Sequence, residues 1–253
     1  MTLAPTVTHD ALSRTHVYVD RPVTGGRAVV SMGTDGPADR PVVRPMLVHS
    51  DDGGAIVSLV PDGALLLAGD AIRIDVQVGP GARLELIEPA GTVAYAMDGG
   101  RATWEVSIDL APAATLVWAG EPFVVAEGAD VDRSTTIRLA TGAAMAWRET
   151  LVLGRHGERP GTLRQGVDVV GHRDVPLLRE LLEVGPASSH LLLGGARAIG
   201  SVLVLGRRLP PDLPASGTRL DLQADGTLVR GLALEAHRAV PGSTWAEARR
   251  VVR

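Results

Sequence analysis

Ile72-Arg73-Ile74-Asp75-Val76-Gln77-Val78, then Gly79-Pro80-Gly81-Ala82, then Leu84-Glu85-Leu86 is the stretch that decides the fold. A strand of alternating apolar residues enters a turn of Gly, Pro and Ala and leaves as a second strand. Residues 72, 74, 76 and 78 share one face while Arg73, Asp75 and Gln77 share the other, the period-two pattern of a half-buried strand. The unit returns as Val106-Ser107-Ile108-Asp109-Leu110, Ala111-Pro112-Ala113-Ala114, Leu116-Val117-Trp118. It returns again as Ile137-Arg138-Leu139, a turn over Ala140-Thr141-Gly142-Ala143-Ala144, and Met145-Ala146-Trp147. The turns end at residues 82, 114 and 144, a nearly regular period that predicts stacked β layers. A continuous sheet surface, rather than one catalytic pocket, is what such a repeat builds.

Outward from the repeat, the strands thin. His16–Val19 and Pro45–Val48 are strand candidates before it, and Ser31 to Pro41 reads as a loop. Ile56 to Val60 and Leu65 to Leu67 begin the denser region. Beyond it, Val167 to Val170, Leu191 to Leu193, Val202 to Leu205 and Leu228 to Leu234 are further strand candidates. Pro176 to Val184 fits a helical stripe and a strand face equally well. Gly154-Arg155-His156-Gly157-Glu158-Arg159-Pro160-Gly161 carries too many breakers and charges for a regular element, and reads as an ordered or functional loop. Thr244-Trp245-Ala246-Glu247 has capping-box spacing ahead of Arg249, Arg250 and Arg253, which predicts a short terminal helix. The expected fold is mainly β, a β-helix-like stack of antiparallel and mixed strands with one or two short helices, forming a single domain over residues 1–253 whose first 45 residues are the less regular part.

Composition narrows the chemistry. All 25 basic residues are arginine, the formal net charge is −4, and there is no cysteine. Without lysine there is no Schiff base and no P-loop; Gly195 to Ser201 has the outline of such a loop, with Ser201 where the lysine must stand. Scattered arginines on an acidic chain form no basic stripe, so nucleic acid is not an expected partner. No apolar run reaches membrane-spanning length, so no membrane role is expected either. Met1 to Asp10 lacks the features of a secretory signal, and a cytoplasmic protein is expected. There is no GxSxG elbow, HExxH or complete GxGxxG, and the seven histidines are too far apart for a local metal motif.

Against this background the ordered motifs gain meaning. Gly69-Asp70 followed by Ile72 to Leu84 resembles the core of the UreD/UreH urease accessory proteins. Trp118-Ala119-Gly120-Glu121-Pro122-Phe123-Val124-Val125-Ala126-Glu127-Gly128-Ala129 is similar to a second segment of that family. Thr136-Ile137 to Arg148-Glu149, Gly154-Arg155, Glu158, and Leu228 to Leu232 leading to Trp245 and Arg249 follow in the family's order. The resemblance spans Met46 to the C-terminus. It departs from the family at Val60-Pro61-Asp62-Gly63-Ala64, where a Pro-Pro-Gly-Gly is usual, and after Ile87-Glu88-Pro89, where basic residues are missing up to Tyr95.

The resemblance implies a non-enzymatic scaffold that docks on apo-urease and recruits urease accessory proteins F and G, the latter a GTPase, for nickel delivery. No tightly bound cofactor is expected; Ni(II) would pass transiently, since a closed shell of strong ligands would trap it. Candidate residues for that passage are Asp70, which starts a strand and could equally bond its own turn, and Glu88, Glu121 and Glu149, each two or three residues past a second strand of the repeat. Stacking could align these glutamates as a ladder; the alternative is solvated residues at loop edges. Trp118 and Trp147 occupy equivalent repeat positions and are either stacked core or partner anchors. Arg155, His156 and Glu158 form either a salt-bridged loop or a docking site. Two other functions remain open: a β-solenoid hydrolase using paired carboxylates, and a β interaction protein unrelated to nickel.

Overall fold

The computed structural model describes residues 12–213, 217–240 and 242–253, so the reading of Met1 to Asp10 lies outside the described residues. Sixteen strands form two facing sheets. The first sheet holds β1 (Leu12–Asp20), β2 (Val29–Asp35), β5 (Ala71–Val78), β8 (Ala102–Leu110), β10 (Asp130–Leu139), β12 (Thr162–Val170) and β13 (Pro176–Val184), ordered β13-β12-β10-β8-β5-β1-β2. The second holds β3 (Val42–Asp51), β4 (Gly54–Asp62), β6 (Arg83–Ile87), β9 (Thr115–Val125), β11 (Ala144–Leu153), β14 (Ala198–Leu205), β15 (Thr218–Asp221) and β16 (Gly226–Ala233), ordered β15-β16-β14-β11-β9-β6-β4-β3. The short β7 (Thr92–Ala94) pairs with the far half of β9.

Each repeat unit puts its first strand in one sheet and its second in the other. β5, β8, β10 and β12 therefore stack in parallel, as do β4, β6, β9 and β11, which is the winding of a β-solenoid. The turns stack with them. Ala82, Ala114 and Ala143 each donate an N–H to the residue three before, at 3.0–3.1 Å, and the third residue of each turn is left-handed: Gly81, Ala113 and Gly142. Pro80 and Pro112 sit just before it, a position that a type II turn favours for proline. The third turn closes at Ala143 rather than Ala144, because Ala144 already pairs with Thr115 in the ladder. Inside, aliphatic side chains line up across layers: Val17, Val76, Ile108, Ile137 and Val169 are paired in register and all buried. Full burial of each such side chain is worth about 1.5–3 kcal/mol.

Antiparallel hairpins close the parallel stack, β1–β2 and β3–β4 at one end, β12–β13 and β14–β16–β15 at the other. Three short helices complete the described residues: α1 (Ser189–Leu193), α2 (Ala236–Ala239) and α3 (Gly242–Val252). α3 packs Trp245, Ala248 and Val252 on the outer face of the second sheet, against Val117, Ala146, Val202 and Val204. Its ion pairs run from Arg249 Nη2 to Glu85 Oε1 at 2.6 Å and from Arg253 to the same carboxylate.

Several local expectations need correction. Ser31 to Asp35 belongs to β2, where pairing with β1 overrides its loop-like composition. Leu65 to Leu67 is not a strand: Leu66 is fully buried in left-handed backbone, which breaks the extended run. Pro176–Val184 is the strand β13, and Leu191 to Leu193 is part of α1 rather than a strand. The capping box does not form. α3 begins at Gly242, so Thr244 lies within the helix, buried and with its hydroxyl unpartnered, while Glu247 pairs with Arg250.

Candidate functional site

Between the sheets the apolar rows are interrupted by a polar seam. In the first sheet, Ile72, Trp104, Arg133 and Gln165 form one inward row. Opposite them, Leu86, Trp118, Trp147 and Leu203 form another. Glu88, Glu121 and Glu149, from three successive layers, line one cavity of about 30 Å³ together with Arg133, Arg148, Trp104, Trp118, Phe123 and Trp147. That volume holds about two waters. Four of the chain's seven aromatic side chains surround it, an unusual concentration for a sequence so poor in aromatics. Trp104 meets Phe123 edge to face at 5.7 Å, and Trp118 lies tilted against Trp147 at 6.4 Å.

Of the three glutamates, only Glu88 follows its second strand as the spacing suggested. Glu121 and Glu149 lie within β9 and β11, which run longer than the apolar pattern, and Glu88 comes directly after β6. They are therefore neither solvated loop edges nor a bare carboxylate ladder. Arg133 Nη1 donates to Glu149 Oε1 at 2.8 Å and to Gln165 Oε1 at 2.6 Å, and Gln165 Nε2 donates to Glu149 Oε2 at 2.8 Å, closing a triangle. The Arg133 guanidinium also lies 4.1 Å from the Phe123 ring centre, and its Nε is buried without a partner. Arg148 Nη2 donates to Glu121 Oε1 at 2.9 Å. Glu88 accepts the Trp118 indole N–H at 2.8 Å and the Glu121 backbone N–H at 3.0 Å. Burial raises its pKa above the usual carboxylate value, against the opposing pull of those two donors and of Arg133.

The seam continues through the stack. Glu149 pairs in register with Ser201, and Ser201 with Arg230, whose guanidinium reaches Ser201 Oγ at 3.2 Å and Glu180 Oε2 at 3.0 Å. Arg133, Gln165, Glu180 and Arg230 were not singled out from the sequence. The signal was present: Val131, Arg133, Thr135, Ile137 and Leu139 alternate as one face, so an arginine in that row must point inward.

A bulge shapes the wall beside the cavity. Arg148 pairs with Ala119 and Thr150 with Pro122, so Gly120 and Glu121 together oppose Glu149. This extra residue lets Trp118 and Phe123, an odd number of positions apart, both face inward. Gly120 is required here, because a Cβ would come within 2.6 Å of the Arg148 carbonyl oxygen.

Asp70 does not line this cavity. Buried at the turn of residues 67–70, it accepts the Leu67 N–H at 2.8 Å and lies 3.5 Å from Arg40, the local turn role weighed for it. Trp118 and Trp147 are core residues, 4% and 9% exposed, and so present no face to a partner. The 154–161 loop is tied to itself and to its neighbours. Glu158 accepts the Arg155 side chain and backbone N–H and the Glu127 N–H, while Arg197 donates to the carbonyls of Arg155 and Glu158. The Arg155 guanidinium is the main cause that holds the Glu158 carboxyl at a pKa of about 2. His156 projects from this loop, exposed. Among the described residues, no three His, Asp or Glu side chains converge as a metal shell, and no helix is long and apolar enough to cross a membrane.

Comparison with known proteins places these features in a family. Residues 18–250 match the UreD urease accessory protein family. Urease accessory protein UreD 1 of Streptomyces griseus subsp. griseus is 47% identical over 195 residues, covering 76% of this chain and 75% of that protein. Urease accessory protein UreD of Frankia alni is 39% identical over 240 residues, 84% of this chain and 76% of that one. That of a Parafrankia strain is 34% identical over 258 residues, 87% of each. With a matching span that takes in the repeat, the seam and most of α3, the chain belongs to the UreD family of urease accessory proteins.

Proposed function

We propose that this chain is a cytoplasmic, non-catalytic scaffold of one domain for urease maturation, which binds apo-urease and recruits urease accessory proteins F and G so that nickel reaches the urease active site. The names of its relatives support the accessory role. The GTPase step would belong to the partner, since this chain has no lysine to build a P-loop. The observation that carries a part in nickel transfer is that Glu88, Glu121 and Glu149 all line one hydratable cavity inside the stack.

The three carboxylates are not equal in this reading. Arg133 and Arg148 bind Glu149 and Glu121 directly, whereas Arg133 acts on Glu88 only through space. Glu88 is thus the carboxylate left to meet a passing cation, and oxygen ligands of this kind hold nickel loosely enough to release it. Asp70 has no place in the passage. Partner contact falls instead to exposed surface such as Arg155 and His156 on the loop that Glu158 holds together. A hydrolase site at these three carboxylates is disfavoured by size, because a cavity of about 30 Å³ admits no sugar ring.

Two measurements test this. The chain should co-purify with apo-urease, and Glu88→Gln with Glu149→Gln should lower urease activation at limiting nickel while leaving that complex intact. Undiminished activation by the double variant would remove the passage, and failure to bind apo-urease would remove the scaffold.

A further inference from the structure

Two hollows meet back to back at the bulge in the second sheet. On the inside is the cavity at Glu88. On the outside a groove of about 450 Å³ runs between the sheet and helices α2 and α3, lined by Pro122, Thr150, His237, Val240 and Trp245. Gly120, Glu121 and Arg148 line both. The partition is therefore one sheet thick, at the point where the bulge interrupts its ladder.

Few side chains fill that partition. Gly120 offers none, and the Arg148 carbonyl packs directly against its backbone. What remains is the Glu121–Arg148 ion pair, closed at 2.9 Å and steadied by Arg148 Nε donating to the Gly120 carbonyl at 3.2 Å. Arg148 stands at an outward position of β11, with its guanidinium 5.5 Å from the Trp245 ring centre. Both charged side chains are partly exposed, 26% for Arg148 and 38% for Glu121, so water competes for each and the pair opens readily. The face of Trp245, already within cation–π reach, keeps hold of the guanidinium when the pair opens.

We propose that the Glu121–Arg148 pair is a door through the second sheet, admitting water and solutes of its size from the α2–α3 groove to the cavity at Glu88. Opening requires no unwinding of the stack, since the bulge already interrupts the regular ladder at this point of the wall. Admission of nickel by this door rests on the passage proposed above; admission of solvent does not.

The Trp118 indole N–H reads the door directly. It is bonded to Glu88 inside the cavity, so it exchanges with deuterium only when water arrives there. In the uniformly nitrogen-15-labelled full chain, Arg148→Gln and Glu121→Gln should each speed exchange of this indole roughly fivefold or more. Backbone amides of the buried strands, such as that of Ile108, should keep their rates. Glu121→Gln conserves side-chain size and serves if loss of Arg148 loosens α3. Acceleration confined to the cavity in either variant supports the door. Unchanged exchange of the Trp118 indole in both, or an acceleration matched by the strand amides, overturns it, and neither result bears on whether nickel uses the cavity.

Discussion

Glu88 holds its carboxylate against an indole N–H and a backbone N–H, in a cavity walled by aromatic rings. Two donors favour the anion, but burial outweighs them, and its pKa lies above the unfolded value of 4.5. The folded state therefore binds this proton more tightly than the unfolded state does. Its contribution to stability is greatest at and below pH 4.5 and is lost as pH rises through the folded pKa. Glu88→Gln removes that dependence. Its amide also confronts the Glu121 N–H with a second donor, but this cost does not change with pH and cancels in a comparison across pH. Urea midpoints of the wild type and Glu88→Gln at pH 4.5 and 7.5 should show the variant gaining relative to the wild type as pH rises. Parallel behaviour of the two proteins would mean that Glu88 is solvated.

At the scale of the element, the stacked turns offer a cleaner test. Gly81 and Gly142 supply the left-handed third position of their turns, and Ala113 stands at the same place with φ of 57°. Left-handed backbone costs a residue with a Cβ about 1–2 kcal/mol, part of which a glycine returns as extra freedom when unfolded. Ala113→Gly should thus stabilise the fold by about 0.5–1 kcal/mol, read as a raised urea midpoint, with Gly142→Ala losing a similar amount. Neither change meets a steric obstacle, since a Cβ on Gly142 has only ordinary contacts at 3.8 Å. These turns were legible in the sequence because Gly, Pro and Ala recur there at a fixed period beside alternating strands. The site was legible in half. Glu88, Glu121 and Glu149 stood out by their repeat position, but Glu121 and Glu149 fall within β9 and β11 rather than after them, and the bulge at Gly120 hides this for Glu121 by shifting the alternation between Trp118 and Phe123. Their partners Arg133 and Gln165 were passed over because charge and polarity in a strand read as outward, although alternation with Val131, Ile137 and Leu139 places Arg133 on the inward face. Leu191 to Leu193 was missed for a different reason: three apolar residues carry no period, and the adjoining residues of α1 decide their conformation.

For the molecule as a whole, a parallel stack has a problem at its ends, where unpaired strand edges can recruit another chain. The end formed by β2 and β3 is only partly protected. Pro45 removes one donor from β3, and a bulge between Leu47 and His49 twists the edge, both of which hinder pairing. Yet Met46, Leu47 and Val48 remain 56%, 46% and 57% exposed, three apolar residues in succession on an edge strand. Val48 is the residue that the bulge leaves out of the ladder with β4, so a charge there costs the fold nothing it uses. Val48→Lys should raise the concentration at which the isolated chain begins to self-associate, measured by light scattering, and shift the unfolding midpoint by no more than about 0.5 kcal/mol. If self-association is unchanged, the exposed apolar residues elsewhere, Leu181 on β13 and Leu191 on α1 at the opposite end, become the surfaces that govern solubility. Paired variants, Val48→Lys and Leu181→Lys, separate the two ends of the stack, because each charge blunts only the edge on which it stands.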